Sequence, residues 1–366
     1  MPRKRQIKFN IDKKRLCFKQ INDNLFQILS QHNKGAEISH FGGEFGEEFK
    51  LLICDDGRGK NGDAVPTHIV AKVILLLKDE DTEADKVLRD ISENEMCQNK
   101  GDEELANIMS KDGRRKIVPI VLGDLKVNAP TSRYKGLAFF EFDNAALYAN
   151  AGSTINGKYN YEVFLPCVTE TLGLVLNNVT ELELDLDVNV NIIPIIRKLK
   201  RDTEHYDMIY NGKRVPNGQR LPKYKELFSS TRESLIYPPS LYFKQAKATD
   251  PFLRIYNKSD EIRESSGKNY ISFWNDFGNQ DFFRIEIVLR NEAYREFNAG
   301  LIDDTQYSEL FANIDSQMLM TNCEDFKRKL WVKFADKIVY FREKFGDKRK
   351  VTLLDIAQGY RIPRGI

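Results

Sequence analysis

Apolar and polar residues alternate most regularly between Ser240 and Arg290. SLYFK sets Leu241 and Phe243 against Ser240, Tyr242 and Lys244. FLRIYNK sets Leu253 and Ile255 against Arg254, Tyr256 and Lys258. FFRIEIVLR sets Phe283, Ile285, Ile287 and Leu289 against Arg284, Glu286, Val288 and Arg290. A period of two marks half-buried strands. Three such strands turn their apolar sides to a core and gather tyrosines, cations and one carboxylate on the other face. That face suits an acidic, extended ligand, and nucleic acid is the obvious one. Upstream, VTELELDLDVN alternates Leu182, Leu184 and Leu186 with Glu181, Glu183, Asp185 and Asp187. Carboxylates spaced about 6.5–7 Å along one strand face repel one another. Solvent, cations on neighbouring strands or a bound metal must offset that cost.

The rest of the chain reads more coarsely. Residues 1–16 form a basic arm, either solvated or laid on a DNA backbone. A short helix is expected at Ile21–Leu29. Strands are expected at His40–Cys54, at THIVAKVILLL, at KIVPIVLGDLKV, at YKGLAFFEFDN and at YNYEVFLPCV. Residues 79–112 read as helical, NAALYANAGSTINGK as a turn-rich connection and ETLGLVLNN as a helix. A helix over about Asn191–Lys200 follows the acidic strand, and 201–239 reads as loop. Beyond Arg290 the pattern turns helical. Leu330, Trp331, Phe334, Ile338, Phe341 and Phe345 share one face of a helix whose other face is basic, with Lys333 and Lys337 among its cations. Strands before about 290 and helices after it indicate an α+β fold with a mainly antiparallel sheet. The expected division is a catalytic region at 1–300, with 1–165 lending strands to a core at 166–300, and a helical basic module at 301–366.

Composition narrows the chemistry. Net charge is only +2 over 366 residues, so affinity for nucleic acid has to come from local clusters. No apolar run is long enough for a membrane span, and the basic N-terminus lacks the apolar stretch of a secretory signal. Five scattered cysteines without a CxxC fit reduced thiols in the cytoplasm. Four histidines, none spaced for shared ligation, leave carboxylates as the metal ligands, and carboxylates favour Mg²⁺ or Mn²⁺. Acids near 183–187 and at 286 can hold one such ion. A tyrosine hydroxyl, unreactive at neutral pH alone, becomes a useful nucleophile beside a metal and cations. Together these groups fit transesterification at a DNA phosphodiester.

The order SLYFKQAKATDPFLRIYNKSDEI, then FRIEIVLR, with VTELELDLD upstream, resembles the Rep_trans-type rolling-circle replication initiators of plasmids and filamentous phages, and related conjugative relaxases. The resemblance spans about 180–290. It implies an HUH-like palm, an antiparallel sheet flanked by helices. It also implies a nicking-joining endonuclease that forms a 5′-phosphotyrosine link and frees a 3′-hydroxyl at an origin. Carried over residue by residue, the nucleophile is Tyr242 and the Mg²⁺ or Mn²⁺ ligands are Glu183, Asp187 and Glu286. Lys244, Arg254, Tyr256, Lys258 and Arg284 would contact DNA near the nick, with Lys333 and Lys337 on duplex. Expected partners are origin DNA, a second copy of the chain and a helicase. Lys244-Gln245 departs from the family's Gly-Ser, and Glu181 stands where the family has arginine. Tyr256 remains a second choice of nucleophile, and Asp185 a substitute for either neighbouring acid. Two other readings stay open: an origin-binding protein without catalysis, and a nuclease or nucleotidyltransferase that forms no covalent intermediate.

Overall fold

In the computed structural model, the described residues are 5–21, 24–39, 48–57, 66–78, 117–152, 164–216, 224–225, 240–243, 251–290 and 324–362. The strands, in chain order, are β1 (Ile7–Gln20), β2 (Glu37–Ile38), β3 (Glu48–Asp55), β4 (His68–Lys78), β5 (Ile117–Asn128), β6 (Leu137–Phe142), β7 (Leu174–Val188), β8 (Tyr206–Tyr210), β9 (Lys213–Arg214), β10 (Tyr224–Lys225), β11 (Leu241–Phe243), β12 (Phe252–Asn257), β13 (Phe283–Arg290), β14 (Val339–Glu343) and β15 (Lys350–Val351). The chain forms two compact units. One comprises Met1–Asp12, Leu182–Asp303 and Met320–Ile366, and the other Lys13–Glu181 and Asp304–Leu319. β1 and β7 each give one half to each unit.

In the first unit the strands run β10-β11-β12-β13-β7-β1. β10, β11, β12 and β13 pair antiparallel, with Tyr242 opposite Arg254, Arg254 opposite Glu286, and Tyr256 opposite Arg284. The predicted alternation holds. Leu253, Ile255, Ile285, Ile287, Leu182, Leu184 and Leu186 are all buried on the apolar side. Helix Glu324–Ile338 packs on β12 and β13 through Leu330, Trp331, Phe334, Ala335 and Ile338, which recur at helical spacing and are buried. The Trp331 indole N–H donates to the Ile285 carbonyl at 3.1 Å, and its ring meets Phe9 edge to face. A smaller sheet, β15-β14-β8-β9, completes the unit. Helix Leu353–Gln358 opens on a capping box between Thr352 and Asp355. It ends at Gly359, whose φ of 111° is left-handed. There Arg5 donates to the carbonyls of Ile356 and Ala357 at 2.6 and 3.2 Å, a cation on the negative end of the helix.

The second unit is the run β7-β1-β6-β5-β4-β3-β2, antiparallel from β1 to β2. Helices Asn24–Ser30, Asn144–Gly152 and Phe164–Thr171 belong to it. The expected strands at 68–78, 117–128 and 137–142 are present.

Several expectations change. The basic arm is strand β1 from Ile7, because Ile7, Phe9 and Ile11 alternate with Lys8, Asn10 and Asp12 beneath a basic composition. Its Lys13 and Arg15 pair with Glu141 and Glu181. NAALYANAG is a helix, and FLPCVTET is a helix rather than the end of a strand. LVLNN, from Leu174, opens β7 instead of forming a helix. Gly173, at φ 66°, stops the preceding helix, and the Leu- and Val-rich run that follows enters the sheet. Within 201–239, Tyr206–Tyr210 is a strand. The long basic helix stops at Ile338, since Val339 and Phe341 bury with a period of two against β8. The C-terminal segment is therefore mixed helix and strand. Residues 40–47, 79–112 and 301–323 lie outside the described residues, as does Lys244.

Replacing Trp331 removes both its packing and its hydrogen bond. Trp331→Ala is expected to lose about 3–5 kcal/mol in urea unfolding, and loss of the Thr352 cap in Thr352→Ala about 1 kcal/mol.

Candidate metal centre

β1, β7, β12 and β13 carry the site. Their alternation puts Asn10 and Asp12, Glu183, Asp185 and Asp187, Arg254 and Tyr256, and Arg284 and Glu286 on the side of the sheet away from Trp331. That side is not open to water as the sequence suggests. Asp185, Asp187, Arg284 and Glu286 are fully buried, and Tyr256 nearly so.

Arg284 is the hub. Its Nη1 lies 2.8 Å from Asp12 Oδ1 and 2.7 Å from Asp185 Oδ2. Its Nε and Nη2 donate to the two oxygens of Asp187, both at 2.7 Å. This is the two-pronged geometry that makes guanidinium–carboxylate pairs strong. Asn10 and Asn275 each donate to Asp187 Oδ2, at 3.0 and 2.8 Å, and Asn10 also donates to the side-chain Oδ1 of Asn275 at 3.0 Å. Asp187 is thus saturated by Arg284 and two amides. Arg284 is enclosed by carboxylates, not turned toward a phosphate.

A second group forms beside this hub. One oxygen each from Asp12, Glu183 and Glu286 lies within 4.8 Å of the others. Oxygens bound to one Mg²⁺ or Ca²⁺ are at most about 4–5 Å apart, given metal–oxygen distances of about 2.0–2.6 Å. The set therefore fits a hard divalent ion. Two of the three acids read from the sequence, Glu183 and Glu286, are in it, and Asp12 stands where Asp187 was expected. The Arg254 guanidinium is ion-paired with Glu286 and has Nη2 3.9 Å from Glu183. Burial works against its charge, but Glu286 more than offsets this and the guanidinium is held more firmly protonated than usual.

The Tyr256 hydroxyl donates to Glu286 Oε2 at 2.9 Å. Burial, then the negative charge of Glu286, pushes its ionisation well above the ordinary phenol range. The cations of Arg254 and Lys258 each lie 5.9 Å from its ring centre. Lys258 itself is buried and paired with Glu261 at 2.7 Å. Tyr242 is half-buried, its ring edge-on to Phe252. It lies two strands from Glu286, about 10 Å across the ladder. Lys333 and Lys337 are on the exposed side of a helix that packs on the other face of the sheet, so they do not join this group.

Five carboxylates, Asp12, Glu183, Asp185, Asp187 and Glu286, thus face two guanidiniums among the described residues. Burial pushes the Asp185 carboxyl well above the usual aspartate range; Arg284 opposes the shift, and Asp12, Glu286 and Asp187 add to it. Asp12 and the two asparagines escape sequence reading. The signal for Asp12 is the Ile7–Phe9–Ile11 alternation, which makes it strand-borne. Asn275 follows a short helix and carries no such signal.

No protein-family model matches the chain, and no curated protein matches it. Among solved structures it is similar to "Structure of Rolling Circle Replication Initiator Protein from Geobacillus stearothermophilus", with 14% identity over 82% of this chain and 80% of that one and a TM-score of 0.32. A likeness at that level has no weight for fold or function. No helix among the described residues is long and apolar enough to cross a membrane.

The buried acid makes stability fall with pH. Asp185 binds its proton more tightly folded than unfolded, so folding is favoured while the proton is held. That advantage is lost as pH rises above the ordinary aspartate range toward the folded value. Asp185→Asn, which mimics the protonated acid, is expected to be more stable than the parent at pH 8, with a smaller gain at pH 5, in urea unfolding. A variant less stable at pH 8 than at pH 5, relative to the parent, would contradict this.

Proposed function

We propose that the chain is a metal-dependent DNA nicking-joining enzyme that initiates rolling-circle replication. The observation that supports this is the meeting of Asp12, Glu183 and Glu286 from three strands, with a tyrosine hydroxyl bonded to one of them. DNA as the substrate rests on the order of motifs across 180–290. Cytoplasmic action at an origin, on single strand at the nick with duplex flank, belongs to the same reading, as do a second copy and a helicase as partners. In it Asp12, Glu183 and Glu286 would hold Mg²⁺ or Mn²⁺, which would supply Lewis-acid polarisation of the scissile phosphate.

The chain's own groups supply the rest. A tyrosine oxygen attacks phosphorus as its proton passes to a carboxylate or water, the bond from phosphorus to the 3′ oxygen breaks, and that oxygen takes up a proton in turn, leaving a 5′-phosphotyrosine and a 3′-hydroxyl. Of the two tyrosines, Tyr256 has the stronger geometric support. Its proton already points at Glu286, which can accept it, and a base within hydrogen-bond reach is the first requirement of such a step. Tyr242 stays as the alternative nucleophile, since Arg254 lies between it and Glu286 in the ladder. Arg254 has its guanidinium on this face to meet a phosphate, and rejoining is the same step in reverse.

The test is covalent capture on labelled single-stranded oligonucleotides from the chain's own replicon, with Mn²⁺. A denaturant-stable adduct is expected, lost in Tyr256→Phe and kept in Tyr242→Phe. Glu286→Gln should slow its formation about 10²–10⁴-fold, the usual worth of a positioned base. An adduct lost only in Tyr242→Phe would keep the function and move the nucleophile. Cleavage without an adduct would point to a water-using nuclease, and binding without cleavage to an origin-binding protein.

A further inference from the structure

The acidic trio already has a cation in it. Arg254 reaches across from β12, pairs with Glu286, and brings the same Nη2 to 3.9 Å from Glu183. Glu286 has no exposed surface, and Arg254 is about one-third exposed. The anchored partner is therefore the carboxylate, and the movable one is the guanidinium. Around them the buried Arg284 hub holds Asp12 through an ion pair at 2.8 Å, which keeps that ligand in position whether or not Arg254 is there. A guanidinium and a divalent ion compete for the same oxygens: both need the Glu286 and Glu183 charges, and each neutralises what the other would.

We infer that Arg254 is the resident counter-ion of the metal centre, holding Glu183 and Glu286 together before a divalent ion binds and released by that ion toward the phosphate of the substrate. This rests on the metal-dependent reading above and adds to it a coupling between metal and substrate. A divalent ion on the trio makes Glu286 a poorer partner for Arg254. The partly exposed guanidinium then turns outward, where a phosphate is the partner that restores its charge balance. Metal and nucleic acid thereby favour one another, and in the empty centre the buried Glu286 carboxylate is never left without a counter-charge. Arg254 acts here as a positioning residue for the ions around it; its planar fork, always charged, suits both partners in turn.

The test is a Mn²⁺ titration of the full chain, reading free Mn²⁺ by electron paramagnetic resonance, with thermal melting alongside. Arg254→Gln is expected to melt lower than the parent without metal. It should bind Mn²⁺ about tenfold more tightly or better, equivalent to ~1.4 kcal/mol, and show a larger rise in melting temperature when Mn²⁺ is added. Arg254→Lys, which keeps the charge and loses the fork, should fall between the two and guards against a folding defect in Arg254→Gln. In the parent, oligonucleotide should tighten Mn²⁺ binding, and Arg254→Gln should remove most of that effect. Equal or weaker Mn²⁺ binding by both variants, with the parent still binding through Asp12, overturns the counter-ion role and leaves the metal centre standing. Failure of the parent and of both variants to bind Mn²⁺ overturns the metal centre and the inference together.

Discussion

The first unit depends on one buried guanidinium. Arg284 has no exposed surface and meets Asp12, Asp185 and Asp187 at once. Each of these acids is on a different turn of the alternation or a different strand, and without the arginine their mutual repulsion and desolvation would each cost several kcal/mol. The hub therefore dictates that β1, β7 and β13 lie side by side in this register. It also fixes one ligand of the neighbouring trio, because Asp12 belongs to both groups. Structure and proposed chemistry are in this sense one network: Asn10 and Asn275 saturate Asp187, Asp187 orients Arg284, and Arg284 orients Asp12.

The four acids of β7 show how one strand serves three purposes. Glu181 is offset by Lys13 and Arg15 in the second unit. Asp185 and Asp187 are offset by Arg284. Glu183 has Arg254 at a distance and leans toward the trio. The sequence raised cations and a metal as alternative means of offsetting the repulsion, and the cations prove to be divided unevenly. The trio is where Glu183 meets Asp12 and Glu286.

Much of this is legible in the sequence. The period-two pattern at 182–187, 252–257 and 283–290 identified the strands, their faces, and Glu183, Glu286, Arg254 and Tyr256 as neighbours. Local pattern does not reveal which strands are adjacent, and so cannot show that Arg284 takes both oxygens of Asp187. Asp12 was hidden because the cations around it outweighed the alternation beneath. The polar face read as a surface because polarity in a strand ordinarily means solvent; here saturation by buried partners replaces it. Val339–Glu343 read as helix because its apolar residues continue the spacing of the preceding turns, and only pairing with β8 makes it a strand. Leu241–Phe243 is a strand as the alternation predicts, and its distance from the acids follows from strand order, which a local pattern does not carry.

The central claim is that Asp12, Glu183 and Glu286, and not Asp187, hold a divalent ion. Crystals soaked in Mn²⁺ and measured at the manganese absorption edge test it most directly. The account predicts one anomalous peak with an oxygen of each of the three at about 2.1 Å, and Asp187 still bridged to Arg284. A peak on Asp187, or manganese only at surface carboxylates, would contradict it.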